Sequence, residues 1–368
     1  MFISKLKVYN FRNLADQNIE LRNGPVYITG LNGNGKTNLS EALYLLSGSR
    51  SFRTNSSSDL VRWGAKEASV FGTVERSNGS DEIGISLTSS GRTAFKNGSE
   101  LNSVSELVGS CAVVAFSPSD LSLVKGSPAG RRKFLDRNMV ELQPTFLATL
   151  MAYQRALGSK SALLKNPRVD IAQLEPWNEL LTEYGGKIVE NRVKFLELLN
   201  EKAGKIHQEF AQADGLLKLT LESEVLNSNQ QASADFTYQE LKRLAPREIA
   251  LRSPLFGPHR DDVAITLGAG VDSRAFASQG QSRSIVLALT LGVIELLEER
   301  LGESPIVVLD DVDSELDAAR SEKLFSTLVQ RDRQLIITGT SQPPAALVKG
   351  VHQEVQLVRV HEGQVLPS

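Results

Sequence analysis

The sequence predicts an α/β domain that is interrupted by a mainly helical insertion. A strand, a glycine-rich loop and a helix follow one another near residue 30. Helical patterning dominates from about residue 118 to residue 250, and apolar strands return near residue 255. Elements of this kind are typical of a sheet with helices on its faces. We therefore expect one α/β domain built from residues 1–115 and 255–368, and a helical arm at residues 116–254.

The composition is that of a globular protein with almost balanced charge. Hydrophobic residues make up 41% of the 368 positions and charged residues 23%, and the length suggests about two domains. No apolar run could span a bilayer, and Met1–Phe11 lacks a signal-peptide core, so we predict a cytoplasmic protein without a membrane partner. The formal net charge is −2, although nucleic-acid binders are usually basic. Any DNA contact must therefore come from local patches or from an assembled interface.

The single cysteine, Cys111, excludes an intrachain disulfide. It precedes an apolar run, and we expect it to be a small core residue. The four histidines show no ligand-like spacing with it, so we expect no zinc site.

The first elements predict a strand and then an antiparallel sheet. Ile3–Phe11 alternates apolar and polar residues, which is typical of a strand with one exposed face. Ala68–Val74 and Glu82–Leu87 have the same alternation. Hairpin turns are predicted at Gly79, Gly91 and Asn97-Gly98.

A phosphate-binding loop is predicted between the first strand, Ile3–Phe11, and the antiparallel sheet that begins at Ala68. Val26–Thr29 is a short buried strand, and Asn38–Leu46 has an apolar helical face. Between them stands the pattern G-x-x-x-x-G-K-T, formed by Gly30, Leu31, Asn32, Gly33, Asn34, Gly35, Lys36 and Thr37. Glycines let backbone N–H groups surround a phosphate, and the helix directs its positive end there. We expect these residues and Asn38 to contact a nucleotide, with Lys36 on phosphate oxygens and Thr37 on Mg²⁺. The alternative is a glycine-rich turn beside a surface lysine.

An apolar strand that ends in two acids predicts the second half of an ATPase site. Ile306–Leu309 is followed directly by Asp310 and Asp311. Asp310 would hold Mg²⁺, and Asp311 would position or deprotonate the attacking water. The alternative is a buried strand with an acidic turn.

A second anion site is predicted where a long helix begins. Ser278 precedes Gln279-Gly280-Gln281 and an apolar helix that runs to Leu301. A serine hydroxyl, free N–H groups and the helix dipole all favour an anion, although an ordinary N-cap has the same composition. Ser314-Glu315-Leu316-Asp317 follows the acidic strand.

Two basic stretches are candidate contacts for nucleotide or DNA. One is the polar segment Ser49–Thr54, whose alternative is a solvated loop. The other is the run Arg131, Arg132 and Lys133, which is our candidate DNA patch. Its alternative is a charge cluster at a helix start or a contact between protomers.

Taken together, these motifs resemble the ABC-type ATPase heads of SMC-like DNA-repair proteins, and in more detail the RecF family. The additional RecF-like stretches are Leu6–Asn13, Phe116–Leu121, Gly126–Pro128 with Arg131-Arg132, and Gly257–Asp262. The helical insertion matches more loosely, through Trp177, Gly185, Ile188 and Arg192, and the similarity is weakest at residues 205–250.

The resemblance implies an ATPase head with a mixed sheet, flanking helices and a helical arm. It also implies ATP and Mg²⁺ as ligands and a homodimer that sandwiches ATP. The DNA partners would be duplexes and single-strand/duplex junctions, and the protein partners would be RecR and RecO, which help load a recombinase. In this family pattern Lys36, Asp310 and Asp311 act in a slow, DNA-stimulated ATP hydrolysis. Ser278, Gly280 and Gln281 would contact the γ-phosphate from the opposite protomer, and Thr37 and Asp310 would hold the metal.

The sequence departs from the general ABC pattern at three points. Asp311 stands where most ABC ATPases have glutamate, and Thr338-Gly339-Thr340 lacks the switch histidine. No clear glutamine occupies the metal-contacting loop, for which Ser117–Asp120 is the candidate replacement. These departures argue against fast hydrolysis. The alternatives are the nucleotide-binding subunit of a transporter, an ATP-gated clamp without turnover, and a small-molecule kinase.

Overall fold

The computed structural model describes residues 1–54, 56–211, 214–227, 229, 231–312, 316–340, 342–350 and 354–366. The strands in chain order are β1 (Phe2–Tyr9), β2 (Gln17–Glu20), β3 (Pro25–Thr29), β4 (Glu67–Arg76), β5 (Gly79–Thr88), β6 (Gly91–Lys96), β7 (Ser99–Glu100), β8 (Val113–Phe116), β9 (Lys218–Glu222), β10 (Asp262–Leu267), β11 (Val271–Asp272), β12 (Ile306–Leu309), β13 (Leu335–Gly339), β14 (Gln356–His361) and β15 (Gln364–Leu366). The helices are α1 (Lys36–Leu45), α2 (Ser122–Lys125), α3 (Pro128–Leu142), α4 (Phe146–Leu164), α5 (Glu175–Phe210), α6 (Ala234–Leu251), α7 (Ser273–Phe276), α8 (Gln279–Leu301), α9 (Ala318–Leu328) and α10 (Ala345–Gly350).

The chain forms two units, of which the second is inserted in the sequence of the first. The head unit contains Met1–Leu121 and Gln279–Ser368, and the inserted unit is Ser122–Ser278. The predicted boundaries at residues 116 and 255 thus differ from the observed ones. The difference is larger at the second boundary, which lies at Ser278. β10 pairs with β9 of the insertion, so Gly257–Asp262 and the chain up to Ser278 belong to the inserted unit.

The head unit has a central six-stranded sheet in the order β15-β14-β3-β13-β12-β8. The strands β14, β3, β13, β12 and β8 are parallel to their neighbours, and β15 is antiparallel to β14. β12 and β8 are buried at every position, as the apolar runs predict for strands covered on both faces. Parallel strands end at the same edge of the sheet, and this edge carries the candidate site.

A second, antiparallel sheet has the order β2-β1-β4-β5-β6-β7. Its hairpins turn at the predicted glycines, and Asn97 has the left-handed φ of 50° that a tight hairpin requires. Helix α1 contacts β4 of this sheet and β8 and β13 of the central one. One apolar core therefore includes residues from both sheets and from α1, and Cys111 is buried in it as predicted.

The inserted unit consists of α2 to α7 and the small sheet β11-β10-β9. Helix α5 packs on α3, α4, α6 and β9, because residues three and four positions apart are buried along its length. Among the described residues, no helix is long and apolar enough to cross a membrane.

Charged side chains are buried inside the inserted unit. The Arg192 guanidinium bonds to the Asp136 carboxylate at 2.8 Å and to Asp261 Oδ2 at 2.7 Å. Lys160 Nζ lies 2.7 Å from Glu248 Oε2, and both side chains have no exposed surface. The Arg192 pairs join α5 to α3 and to the turn before β10, and the Lys160–Glu248 pair joins α4 to α6.

Candidate functional site

The phosphate loop leaves β3 and enters α1 in a geometry that only glycine allows at two positions. A Cβ at Gly30 would lie 2.2 Å from the carbonyl oxygen of Val360 in β14. Gly35 caps α1 in the left-handed conformation, with φ of 107°. Because both glycines are needed for close approach and for the turn, the loop can present backbone N–H groups and the helix start to a phosphate.

The C-terminal hairpin β14–β15 holds this loop from one side. Asn34 Nδ2 donates to the Val360 carbonyl at 3.3 Å, and the Gly363 N–H donates to the Asn34 carbonyl at 2.9 Å. On the other side, Asn13 Nδ2 donates to the Gly33 carbonyl at 2.9 Å. The loop is thus fixed by contacts from both ends of the head unit's sequence.

Lys36 is buried at the start of α1, with 8% of its surface exposed. Its Nζ donates to the carbonyls of Gly30 at 2.7 Å and Leu31 at 3.2 Å. Burial lowers the pKa of Lys36, and the negative charges of Asp311 and Asp310 partly oppose this effect. The lysine charge therefore lies inside the loop and near Asp310 and Asp311, the first of which is 274 positions further along the chain.

Asp310 and Asp311 follow β12, and the hydroxyl of Thr338 in the neighbouring β13 connects them. Thr338 Oγ1 donates to Asp310 Oδ1 at 2.9 Å and accepts from the Asp311 N–H at 2.8 Å. Asp311 adopts a left-handed φ of 51°, so the chain turns sharply after the strand. Thr338 is a positioning residue that the sequence analysis noted only as the place of a missing histidine.

The Asp310 carboxyl is 5% exposed. Burial raises its pKa, while hydrogen bonds from Thr338 and Thr37 and the positive charge of Arg53 act in the opposite direction. The Thr37–Asp310 hydrogen bond brings together the two oxygen groups that were predicted to hold Mg²⁺. Hard oxygen ligands of this kind suit that metal, so the residues fit the ion.

The phosphate loop, the acidic turn and Thr338 meet at one edge because β3, β13 and β12 are adjacent parallel strands. Ser117 follows the next strand, β8, and the Asp310 N–H donates to the carbonyl of Phe116 at 2.9 Å. The candidate loop Ser117–Asp120 is thus located beside the acidic turn.

Polar residues beside the loop form contacts that no local sequence pattern predicted, and one of them, Glu41, was not among the candidate residues. Arg12 donates two hydrogen bonds to the buried carboxylate of Glu41, at 2.9 and 2.8 Å. Arg53 donates to Asn38 at 2.7 Å, and Asn38 donates to Asn13 at 2.6 Å. This chain of contacts places the Arg53 side chain against α1, next to the phosphate loop, a position that no local pattern could reveal.

The proposed signature residues Ser278, Gly280 and Gln281 lie where α8 begins, as predicted. A Cβ at Gly280 would lie 3.2 Å from the Arg320 guanidinium of α9, and Arg320 also donates to Ser284 at 2.9 Å. The helix start is a separate element from the sheet edge that carries Lys36 and the acids. Of the segment Ser314–Asp317, Ser314 and Glu315 lie outside the described residues, and Asp317 caps α9.

The three residues of the basic run in α3 differ in their burial and contacts. Arg131 is 4% exposed, and its guanidinium donates to both Asp262 oxygens at 2.6 and 2.9 Å. Arg132 is half-buried and donates to the Asp261 carbonyl at 2.6 Å, whereas Lys133 is exposed. The Arg131 side chain is thus engaged inside the inserted unit, and of the three only Lys133 has a mainly solvent-exposed side chain.

Comparison with known proteins extends the similarity along the whole chain. The family described as RecF/RecN/SMC N terminal domain matches residues 2–364. The DNA replication and repair protein RecF of Symbiobacterium thermophilum is 37% identical over 371 residues, covering 100% of this chain and 98% of the relative. The RecF of Oceanobacillus iheyensis is 35% identical over 376 residues, covering 99% and 100%.

A solved structure described as the recombination mediator protein RecF with ATP, in the RecFOR pathway, has the same fold. The TM-score is 0.88 at 32% identity, with 99% of this chain and 96% of that chain covered. The predicted fold class, an SMC-like ATPase head with an inserted helical arm, is confirmed.

Proposed function

The chain belongs to the RecF family of DNA replication and repair proteins. From this premise we propose that it is an ATP-dependent DNA-binding repair protein that hydrolyses ATP slowly. The observation that carries the proposal is the meeting of Lys36, Thr37, Asp310 and Asp311 at the carboxyl edge of adjacent parallel strands. That edge offers a phosphate cradle and two carboxylates. The nucleotide-binding subunit of a transporter or a small-molecule kinase would have the same groups.

ATP binding would use groups that are already in place. The loop N–H groups and the start of α1 receive the phosphates, and Lys36 exchanges its carbonyl acceptors for phosphate oxygens. Thr37 and Asp310 would hold Mg²⁺, which would neutralise phosphate charge. Thr338 holds Asp310 in this position from the neighbouring strand.

Hydrolysis would use Asp311 as the group that orients or deprotonates the attacking water. Asp311→Asn tests this role, because an amide cannot accept the proton. We expect the variant to bind ATP with affinity close to that of the unmodified protein and to lose turnover by about 100-fold or more. Turnover at the unmodified rate would assign the base to another group.

The assembly that we propose is a homodimer in which two ATP molecules lie between protomers. Ser278, Gly280 and Gln281 of one protomer would contact the γ-phosphate held by the loop of the other. A ligand shifts an equilibrium only through a difference in affinity, and conversion from monomer to dimer needs roughly 5 kcal/mol. Charge-assisted hydrogen bonds at two sites supply energies of that order. ADP lacks the γ-phosphate and should support dimers poorly.

Ser278→Arg tests the sandwich by steric exclusion. We expect ATP binding close to normal, no ATP-induced dimer in sedimentation, and negligible hydrolysis. Ser326→Arg makes the same change at an exposed serine of α9 and should dimerise normally. Dimers of Ser278→Arg that form as readily as those of the control would exclude the sandwich.

The DNA that the protein would bind is duplex DNA and single-strand/duplex junctions. Its protein partners would be the mediators RecR and RecO. Family membership and the RecFOR context of the solved relative support them. Gapped and blunt DNA of equal length should be compared by anisotropy with ATP, ADP and no nucleotide. Tighter binding to gapped DNA only with ATP is the expected result. Equal binding under all conditions would favour a clamp that does not respond to nucleotide.

A further inference from the structure

The head unit contains a cavity beside the Ser49–Thr54 segment. Its volume is about 260 Å³, and it lies between the loop after α1 and the start of β6. Two arginines line it, Arg50 from the loop and Arg92 from the strand. The other polar residues that line it are Ser51, Thr54, Ser56 and Ser57.

The charges of these arginines are not neutralised inside the protein. Among the described residues, no carboxylate forms an ion pair with Arg50 or Arg92, whereas the neighbouring Arg12 and Arg53 both pair with Glu41. Arg92 donates one hydrogen bond to the Ser49 carbonyl at 2.8 Å, which leaves the rest of its guanidinium for another acceptor.

Two adjacent cations without a carboxylate repel each other. Burial and the positive charge of Arg50 both lower the pKa of Arg92. A guanidinium pair with this repulsion gains more from an anion than isolated arginines do, since the anion removes the repulsion while making charge-assisted hydrogen bonds.

We propose that this cavity is a second phosphate-binding site of the head unit, separate from the phosphate loop. Guanidinium groups match the paired oxygens of a phosphate. Ser51 and Thr54 donate their hydroxyl protons to Glu41 and Asp59, so a further hydroxyl donor would come from Ser57, or from Ser56 when Ser58 donates to it. The described lining has no aromatic ring and no amide side chain that could read a base. The site therefore fits a phosphate group alone, such as a backbone phosphate of a polynucleotide bound without regard to sequence.

A backbone phosphodiester and a free phosphate compound share this chemistry, so the experiment has an arm for each. The backbone assignment rests on the proposed DNA-binding function. In the first arm, DNA affinity is measured by anisotropy against salt concentration for Arg50→Gln and for Arg50→Gln/Arg92→Gln. Arg300→Gln is the matched control, because Arg300 is an exposed arginine at the far end of α8.

The expected result is a slope of log affinity against log salt that falls by about one for each lost phosphate contact, with ATP affinity unchanged. Arg50 is exposed, and its side chain forms no hydrogen bond or ion pair with the other described residues, so the single variant tests the site even if the double variant folds poorly. A slope equal to that of the control in both variants would exclude the backbone assignment.

In the second arm, protection of Arg50 and Arg92 from phenylglyoxal is measured by mass spectrometry. The probes are mixed-sequence duplex DNA and pyrophosphate, in the Lys36→Met background so that the phosphate loop contributes little. Protection by DNA supports the backbone source, and protection by pyrophosphate alone supports a site for free phosphate compounds. Equal modification with and without both probes would overturn the proposal. If the unmodified protein binds no DNA at all, the proposed function fails, and the pyrophosphate result still decides whether the site exists.

Discussion

Two regions of this protein, the carboxyl edge of the central sheet and the inserted unit, use charged side chains differently. In the central sheet of the head unit, β8 and β12 are wholly apolar, and the charged groups of the candidate site are collected at the ends of strands, where the acids, Lys36 and Thr338 meet. In the inserted unit the charges lie within the packed helices and pair with one another, as Arg192 does with Asp136 and Asp261. The head presents its site charges at the edge of a sheet, and the insertion neutralises its buried charges internally.

The charges at the sheet edge are available to bind ligands, whereas those in the inserted unit hold its helices together. A buried ion pair contributes little net stability compared with a well-packed apolar pair, but removal of one partner is costly. Substitutions in the insertion should therefore affect folding, and substitutions at the sheet edge should affect ligands while leaving folding almost unchanged. The following predictions test that contrast, from the largest expected effect to the smallest.

Glu248→Gln should have the largest effect on stability. It leaves the ammonium of Lys160 buried without a carboxylate, and we expect the free energy of unfolding to fall by about 3–5 kcal/mol in urea denaturation. ATP affinity of the folded protein should not change. Lys160→Met/Glu248→Gln removes the orphan charge and should recover most of the loss. A single variant as stable as the unmodified protein would show that this pair does not hold the helices together.

Lys36→Met should have the opposite profile. We expect ATP affinity to fall by about 100-fold, because a charged donor to phosphate oxygens is lost. The unfolding free energy should fall by no more than about 1–2 kcal/mol, the cost of the two hydrogen bonds to loop carbonyls. Isothermal calorimetry and urea denaturation measure the two quantities. Lys66→Met, at an exposed lysine of the head unit, is the control and should change neither. Unchanged ATP affinity would remove Lys36 from the site.

Arg131→Ala and Lys133→Ala test which residues of the basic run in α3 stabilise the fold and which contact DNA. Arg131→Ala should lower the unfolding free energy by about 2 kcal/mol, since Asp262 loses a bidentate partner. Lys133→Ala should leave stability almost unchanged and, if the run contacts DNA, lower the salt slope of DNA binding by about one. A salt slope unaffected by Lys133→Ala, in an equally stable protein, would count against a DNA patch on α3.

Two buried groups, His259 and Asp261, should change the stability in opposite directions as the pH rises. Burial lowers the pKa of His259 from 6.5 to about 4, so the unfolded chain binds more protons between these values and stability rises with pH. Burial raises the pKa of Asp261 from 3.8 to about 6 despite the Arg192 charge, so the folded chain binds more protons and stability falls as pH rises to 6.

Single variants should separate these two contributions. Between pH 4 and 6, Asp261→Asn should become more stable with rising pH, and His259→Gln should become less stable, each by on the order of 1–2 kcal/mol. Urea midpoints measured across this range provide the test. Parallel pH profiles for the two variants would show that neither group titrates as its burial indicates.

Local patterns in the sequence were sufficient for the elements that carry the head unit's site. The phosphate loop, the acidic end of β12 and the start of α8 each consist of consecutive residues, and the predicted strands and helices are confirmed there. The RecF family resemblance is also confirmed, because motifs of that kind are recognisable without knowledge of distant contacts.

Pairings between distant residues could not be predicted in this way. Nothing in the run Arg131-Arg132-Lys133 distinguishes an arginine that binds Asp262 from one that faces solvent, since the partner lies 131 positions further along the chain. The same reason concealed the Arg12–Glu41 pair and the bridging role of Thr338, which depends on β13 lying next to β12. The predicted domain boundary near residue 255 differs from the division at Ser278, because the pairing of β10 with β9 is a long-range contact that no local pattern indicates.

The hairpin contact with the phosphate loop has a consequence for synthesis of the chain. Asn34 and Val360 are 326 residues apart, so the ribosome must make the entire insertion before the loop can acquire its lateral support. Chains are made at about 5–20 residues per second and domains fold as units, so the loop waits for on the order of 20–60 seconds in a nascent protein. The inserted unit pairs its charges with partners from its own span and can fold during that interval. Nucleotide binding is therefore expected to be acquired late in translation, after the insertion has already folded.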